Sequence, residues 1–193
     1  MIPAANLPLA AALPGHDRLG RKLLLVTLGS LLVAAAAQVS VPMWPVPMTL
    51  QTLAISVLGL TLGARLAAAA LTLYLVQGAL GLPVFAGGAA GLPHVFGPTG
   101  GFLVGFVGMA WLTGRLVEAG LGRGLLRLFA AAVLPALLLF VPGVLWLWAI
   151  TPLALDQAVM LGAAPFQLGG LVKSALAALI VAGGWSALRA RRL

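Results

Sequence analysis

The chain contains no cysteine and few charged residues: 7% of its 193 residues are charged, and three are acidic. Without cysteine, disulfides, thiolate nucleophiles and cysteine-ligated metals are excluded. Soluble proteins carry about 25% charged residues. A chain that is 62% hydrophobic, with a mean hydropathy of +1.15, cannot cover its surface in water with so few polar groups. The composition therefore predicts an integral membrane protein.

Catalytic groups are also scarce. The acidic residues are Asp17, Glu118 and Asp156, and the histidines are His16 and His94. The sequence has no histidine pair at metal-ligand spacing, no Gly-x-Ser-x-Gly elbow and no Gly-Lys-Ser/Thr phosphate loop. A proton-coupled carrier would also need carboxylates inside the helix bundle. The sequence predicts a binding protein without its own ATPase, cofactor or metal, in which His94 is a solvated loop residue.

Apolar stretches of about 15–20 residues recur along the chain, and they are too long for barrel strands. They predict an all-α, six-helix membrane bundle that forms a single domain over residues 1–193. The six predicted helices cover residues 23–39, 49–62, 66–80, 100–117, 128–148 and 166–188. Residues 118–127 are a predicted loop, and residues 151–165 a loop or interfacial segment. Because prolines interrupt the weakly apolar start, residues 1–20 are predicted to be a cytoplasmic tail, not a signal peptide.

The basic residues predict that both termini are cytoplasmic. With the N-terminus inside, every Lys and Arg except Lys173 falls in a tail or a short connection on one face, and residues 189–193 form a basic cytoplasmic tail. Cytoplasmic connections are enriched in Lys and Arg, so an even number of spans fits the sequence. The formal net charge of +8 is expected to orient helices and contact the lipid bilayer, not nucleic acid.

Lys173 is the exception to this charge pattern. It lies seven residues after Phe166, and thus roughly 10 Å inside the outer end of the last predicted helix. A cation at membrane depth costs about 2.5–3.5 kcal/mol, and such residues usually have a function and a partner. The carboxylate of a ligand would be such a partner. Snorkelling to lipid phosphate and an ion pair with Asp156 are the alternatives.

A segment rich in Gly and Pro, residues 81–98, precedes the fourth predicted helix; it is called the Gly/Pro loop below. It is too irregular for a helix and too apolar for an ordinary solvated loop. Irregular backbone near a membrane is tolerated where protein buries it or where it lines a cavity. We expect this outer loop to cap a substrate cavity onto which Lys173 opens, and an inert cap is the alternative. Polar and aromatic residues available in the outer half are Trp44, Gln51, Thr52, Gln77, Phe85, Phe96, Thr99 and Gln167.

Small residues recur at helical spacing in three places: Gly97, Gly101 and Gly105; Gly59 and Gly63; and Ser30, Ala34 and Ala37. Such rows let helices approach closely. Packing inside the bundle is the ordinary interpretation of each row. Docking to a separate membrane subunit is the functional alternative, and the first helix is its best candidate.

Three groups of segments carry a family resemblance. The first is QVSVP at 38–42 with PVPMTLQT at 45–52, and the second is GLPVFAGG at 81–88 with GPTGGF at 97–102. The third is Pro165-Phe166 with Gly169 and Lys173. Together they resemble the BioY family, the biotin-specific substrate-binding subunits of energy-coupling-factor transporters. The second group is highly specific to that family.

The resemblance implies a six-helix, multi-pass protein of the bacterial inner membrane that captures biotin from outside with high affinity. Such subunits pair with a transmembrane coupling protein and with two ABC-type ATPases that power uptake. In that reading the row Ser30, Ala34 and Ala37 would face the coupling protein. A stand-alone membrane carrier for biotin or a related small carboxylic acid is the alternative function.

The resemblance also implies a substrate site. Lys173 would bind the carboxylate or another polar end of biotin, while the Gly/Pro loop and nearby Gln and Thr side chains would hold the rest. The other implied site residues are Trp44, Gln51, Phe85, Gly87, Gly88, Thr99, Asp156 and Gln167. One departure stands out, because the family commonly has Gly-Asp three residues before this lysine, whereas this chain has Gly169-Gly170. The contact made by that Asp would be lost, or supplied by Gln167, Asp156 or water.

Overall fold

A computed structural model of the chain describes residues 8–12 and 18–190, and it is mostly helical. The helices are α1 (Leu19–Gln38), α2 (Gln51–Leu62), α3 (Ala64–Ala79), α4 (Leu92–Val95), α5 (Gly100–Leu116), α6 (Leu125–Leu138), α7 (Phe140–Ile150), α8 (Leu155–Gly162) and α9 (Gln167–Ala190). Two short strands, β1 (Ser40–Val41) and β2 (Met48–Thr49), pair antiparallel between α1 and α2. Short 3-10 turns at Leu9–Ala12, Ala86–Gly88 and Ala164–Phe166 and a π turn at Val117–Leu121 complete the regular structure of these residues.

Four helical stretches are long and apolar enough to cross a membrane: Leu19–Gln38, Gly100–Leu121, Leu125–Ile150 and Leu155–Ala190. Helices α2 and α3 are apolar but shorter, with 12 and 16 residues. At 1.5 Å per residue they extend about 18 and 24 Å, less than the roughly 30 Å of a hydrocarbon core. The predicted number of six membrane-crossing helices therefore stays a prediction.

The fifth predicted helix, over residues 128–148, is two helices that meet at Leu139. Pro142 has no N–H to donate to the carbonyl of Leu138, so the helical ladder is interrupted there. Helix α6 ends at Leu138 and α7 begins at Phe140. Within residues 151–165, predicted as a loop or interfacial segment, the structure has the short helix α8 over Leu155–Gly162, which excludes a plain loop. The side-chain oxygen of Gln157 accepts the Ala154 N–H at 3.1 Å and caps the start of that helix.

Part of the predicted cytoplasmic tail, residues 1–20, packs against the helix bundle. Helix α1 begins at Leu19, four residues before the predicted start at 23. The turn Leu9–Ala12 packs against α2 and α9, and Pro8 is buried. Because this turn is apolar, burial against the helices removes it from water. The rest of the two predicted tails, residues 1–7, 13–17 and 191–193, lies outside the described residues.

Glycines set the closest helix contacts. A Cβ on Gly114 of α5 would lie 2.1 Å from the backbone nitrogen of Ala64, where α3 begins. A Cβ on Gly59 would lie 2.6 Å from the Thr113 side chain, and one on Gly101 would lie 2.3 Å from the Cβ of Trp146 in α7. Contacts this short leave no room for a side chain. The glycines at 59 and 101 therefore pack inside the bundle, as the ordinary interpretation of their rows predicts.

The small-residue row of α1 faces the inside of the protein. Ser30 and Ala37 are fully buried, and Ala34 is half-buried. The Ser30 hydroxyl donates a hydrogen bond to the side-chain oxygen of Gln77 on α3. Ser30 and Ala37 are therefore packed inside the bundle in this structure, and the docking of this row to a coupling protein stays a prediction. The large side chains that α1 exposes are Leu19, Leu23, Leu24, Leu28, Leu31 and Leu32.

Candidate functional site

A pocket lies where the Gly/Pro loop meets the ends of several helices. It encloses about 740 Å³ of space, part of which is open to solvent. Its lining residues are Val46, Pro47, Thr49, Gln51, Thr52, Ala86, His94, Thr99, Phe102, Leu103, Phe106, Ala136, Leu139, Phe140, Phe166, Gly170 and Lys173. The pocket thus has a mainly aromatic and aliphatic wall with a few polar groups.

Lys173 supplies the pocket's charge. It stands on the second turn of α9, is half-buried, and donates a hydrogen bond from Nζ to the backbone oxygen of Thr49 at 2.9 Å. An ammonium group has three donors, so two remain for other acceptors. Over residues 18–190 the ion pair that forms is Arg115 with Glu118, and the proposed pairing of Lys173 with Asp156 is not made. The pocket therefore presents a cation without a protein carboxylate beside it.

A chain of polar contacts fixes the floor beside Lys173. The Thr49 hydroxyl donates to Gln51 Oε1 at 2.9 Å, and Gln51 Nε2 donates to the Tyr74 hydroxyl oxygen at 2.7 Å. Gln51 is 3% exposed and Tyr74 is fully buried. The β1–β2 pairing places Thr49 so that its carbonyl serves Lys173 while its side chain serves Gln51. Burial of a satisfied polar network of this kind gives the side chains defined positions.

His94 lines the pocket, and its prediction as a solvated loop residue is wrong. It stands on α4 with its ring stacked on Phe85, the centroids 5.0 Å apart. Its Nε2 lies 3.5 Å from the Thr99 hydroxyl. Desolvation by burial lowers the pKa of His94 below its ordinary value, which favours the neutral ring. A one-turn helix carries no periodic signal, so no sequence pattern indicated where this side chain would lie.

Gln38 holds the Gly/Pro loop to the end of α1. Its Oε1 accepts the Gly88 N–H at 3.1 Å, and its Nε2 donates to the Phe85 carbonyl at 3.1 Å. Gly87 and Gly88 have φ values of +67° and +74°, a region that favours glycine. Gln38 therefore helps to fix the loop, and the sequence analysis did not assign it to the site.

Phe85 anchors the same loop from beneath. It is fully buried, and a Cβ on Gly78 would lie 2.1 Å from its ring. Its ring also meets Tyr74 edge to face, with centroids 5.5 Å apart. Phe85 therefore lies under His94 and does not line the pocket itself.

The structure brings together only part of the predicted site. Gln51, Thr99 and Lys173 line the pocket, whereas Gly87 and Gly88 follow the lining residue Ala86 and do not line it themselves. Four other predicted residues also do not line the pocket. Trp44 is 78% exposed, and Asp156 is exposed in α8. The Gln167 amide donates to the Ala163 carbonyl at 3.1 Å, and Phe85 is fully buried beneath His94.

Gly170 lines the pocket at the position where the family resemblance leads one to expect Asp. A Cβ there would meet nothing within 4 Å. The glycine therefore leaves open space beside Lys173.

Comparison with known proteins agrees with this architecture. Residues 10–190 match the model of the BioY family. The probable biotin transporter BioY of Pyrococcus horikoshii is 37% identical over 156 residues, which cover 81% of this chain and 91% of the relative. The biotin transporter BioY2 of Lactococcus lactis subsp. cremoris is 38% identical over 157 residues, covering 80% of this chain and 84% of the relative.

A solved structure has the same fold. The crystal structure of the S-component for biotin from an ECF-type ABC transporter superposes with a TM-score of 0.78 at 21% identity, covering 90% of this chain and 92% of that chain. With a family model that matches nearly the whole sequence, and with relatives above 30% identity over most of their length, the chain belongs to the BioY family.

Proposed function

We propose that this protein captures biotin as the substrate-binding subunit of an energy-coupling-factor transporter. One observation carries the proposal: Lys173 stands in an apolar pocket without a carboxylate partner among the described residues, in a chain of the BioY family. The named relatives are biotin transporters. An intramembrane cation of this kind typically meets an anionic ligand.

The pocket's chemistry suits the parts of biotin. The valerate carboxylate of biotin would accept hydrogen bonds from the two N–H donors of the Lys173 ammonium group that do not bond Thr49. The thioether ring would pack on the aromatic wall formed by residues such as Phe102 and Phe140. The ureido group both donates and accepts hydrogen bonds, as do amides and hydroxyls such as Gln51.

The same charge pattern supports a membrane orientation. Helices α1, α2, α3, α5 and α9 would each cross the membrane once, and α6 and α7 together would make the sixth crossing. Arg65, Arg115 and Arg123 lie at helix ends or connections remote from the Lys173 pocket. With those residues on the cytoplasmic side, both termini would be cytoplasmic and the Gly/Pro loop would cap the pocket from outside, in the bacterial inner membrane. The shortness of α2 and α3 would be met by local bilayer thinning or by their flanking segments.

Uptake would depend on partners. The sequence has no phosphate-binding loop, so a transmembrane coupling protein and ABC-type ATPases would supply the energy. Ser30 and Ala37 are fully buried in this structure, so docking through them would require α1 to move, and Ser30 would lose its hydrogen bond to Gln77 on α3. The half-buried Ala34 is the member of that row that a partner could reach without such a movement.

Equilibrium binding of labelled biotin to the purified protein tests the capture function, with desthiobiotin and lipoate as competitors. We expect saturable binding that desthiobiotin displaces more strongly than lipoate, because lipoate lacks the ureido group. The absence of saturable binding would refute the proposal. Uptake by cells that lack every coupling ATPase is a separate measurement. Accumulation in such cells would instead support a stand-alone carrier.

A further inference from the structure

A second pocket lies between the start of α6 and the end of α9. Trp185 lies twelve residues beyond Lys173 on α9, which is about 18 Å along the helix axis. The pocket encloses about 860 Å³ of space, part of it open to solvent. Residues that line it include Arg123, Leu125, Leu128, Trp185, Ser186 and Arg189. It is therefore separate from the biotin pocket and lies toward the opposite end of the bundle.

Two guanidinium groups stand at this second pocket. Arg123 lies over the Trp185 ring, with 4.6 Å from its Cζ to the ring centroid, and Arg189 comes from the last turn of α9. Among the described carboxylates, Glu118 pairs with Arg115 and bonds the Ala64 N–H, so it does not neutralise either group. The cation–π contact with Trp185 orients the Arg123 guanidinium at the pocket, and neither Arg123 nor Arg189 has a carboxylate partner among residues 8–12 and 18–190.

Trp185 contributes a further donor. Its indole Nε1 is buried and has no hydrogen-bond partner within the described ranges 8–12 and 18–190. Buried indole N–H groups usually have an acceptor. Leu128 is fully buried beneath this pocket, while Leu125 is 47% exposed at its edge. The pocket thus combines cationic donors with an apolar border.

We propose that this pocket binds the phosphate-bearing headgroup of an anionic phospholipid. A phospholipid carries a phosphate that two guanidiniums can bind and an acyl chain that the apolar edge at Leu125 can accommodate. A basic pocket between helices at the cytoplasmic side is the arrangement that binds such headgroups. A water-soluble phosphate would use the arginines but gain nothing from the exposed leucine. The proposal does not depend on which ligand the Lys173 pocket binds.

The test measures binding of short-chain phosphatidylglycerol and phosphatidylcholine to the full chain in detergent, with native mass spectrometry as the readout. The test variant is Arg123→Gln combined with Arg189→Gln. The matched control, Arg18→Gln combined with Arg65→Gln, removes the same charge outside the pocket. Each Arg near an anionic lipid strengthens association by about fivefold. We therefore expect the test variant to bind phosphatidylglycerol about 25-fold more weakly, while the control keeps wild-type affinity and all three proteins keep biotin binding.

Several results would overturn the proposal. They are equal wild-type affinity for the two lipids, an unchanged affinity in the test variant, or an equal loss in the control. Displacement of phosphatidylglycerol by inorganic phosphate alone would mean a free-anion site. Loss of coupling-protein copurification without any change in lipid affinity would mean a protein contact. If the double variant fails to fold, Trp185→Phe keeps both arginines and a ring, and it should still weaken phosphatidylglycerol binding because the indole donor is gone.

Discussion

Removal of the Lys173 ammonium is the most direct perturbation of the proposed biotin site. Lys173→Met keeps an apolar stem of similar length and removes the charge together with the bond to the Thr49 carbonyl. A hydrogen bond to a charged group contributes about 1.5–3 kcal/mol, and 1.4 kcal/mol corresponds to tenfold in affinity. We therefore expect the dissociation constant for biotin to rise by about 10- to 150-fold. The assay is equilibrium binding of labelled biotin in detergent.

A carboxylate-free analogue separates charge recognition from general damage to the pocket. Biotin amide should bind wild-type protein more weakly than biotin does, whereas the Lys173→Met variant should bind the two ligands nearly equally. This is a double-mutant cycle between a side chain and a ligand group, and its coupling energy measures the pair itself. Lys22→Met is the matched control, because Lys22 lies in the first turn of α1 and not in the pocket. Equal losses for both ligands in the variant would refute the assignment of Lys173 to the carboxylate.

Three further changes test the Gly/Pro loop. Gly78→Ala should lower the melting temperature and the biotin affinity, because the new Cβ would lie 2.1 Å from the Phe85 ring. Overpacking of this kind costs about 1–3 kcal/mol. Gly108→Ala is the control: its Cβ would meet nothing within 4 Å, so it should have no such effect. Gln38→Ala should speed biotin dissociation by freeing the loop, and an unchanged off-rate in stopped flow would contradict that role. Burial lowers the pKa of His94, so the folded state resists protonation and stability should fall as pH drops below the ordinary histidine value of about 6.5. Thermal melts at neutral and acidic pH should show a smaller loss for His94→Gln, and identical losses would contradict this.

The sequence predicted the helical membrane class and most helix positions because those depend on long apolar runs. It also predicted Lys173 and Gln51 as pocket residues, the first from its charge at membrane depth and the second from the family resemblance. Residue type does not report which face a small side chain takes, and so Ser30 and Ala37 were assigned to a partner although both are fully buried in the structure. Contacts between distant segments were equally invisible, which is why His94 was missed.

The Gly/Pro loop illustrates the same limit in one segment. Its irregular backbone could be recognised from composition alone, and its glycines at positive φ follow from that composition. One contact that holds it in place comes from Gln38, which lies 50 residues before Gly88 in the chain. A side chain that bonds backbone atoms so far along the sequence has no local pattern. It becomes visible only once α1 and the loop are brought together.

A preference of the pocket for acids would follow from what holds Lys173. The Thr49 carbonyl is a neutral acceptor, so it satisfies one donor without cancelling the charge. A protein carboxylate in its place would neutralise the ammonium and would have to be displaced, or be left buried and unpaired, when an anionic ligand bound. Gly170 supplies no such carboxylate, and space is open at its Cβ position. Gly170→Asp should therefore reduce the preference for biotin over biotin amide, because the new carboxylate competes with the ligand's own for the same ammonium. An equal effect on the two ligands would mean that the glycine matters for space and not for charge.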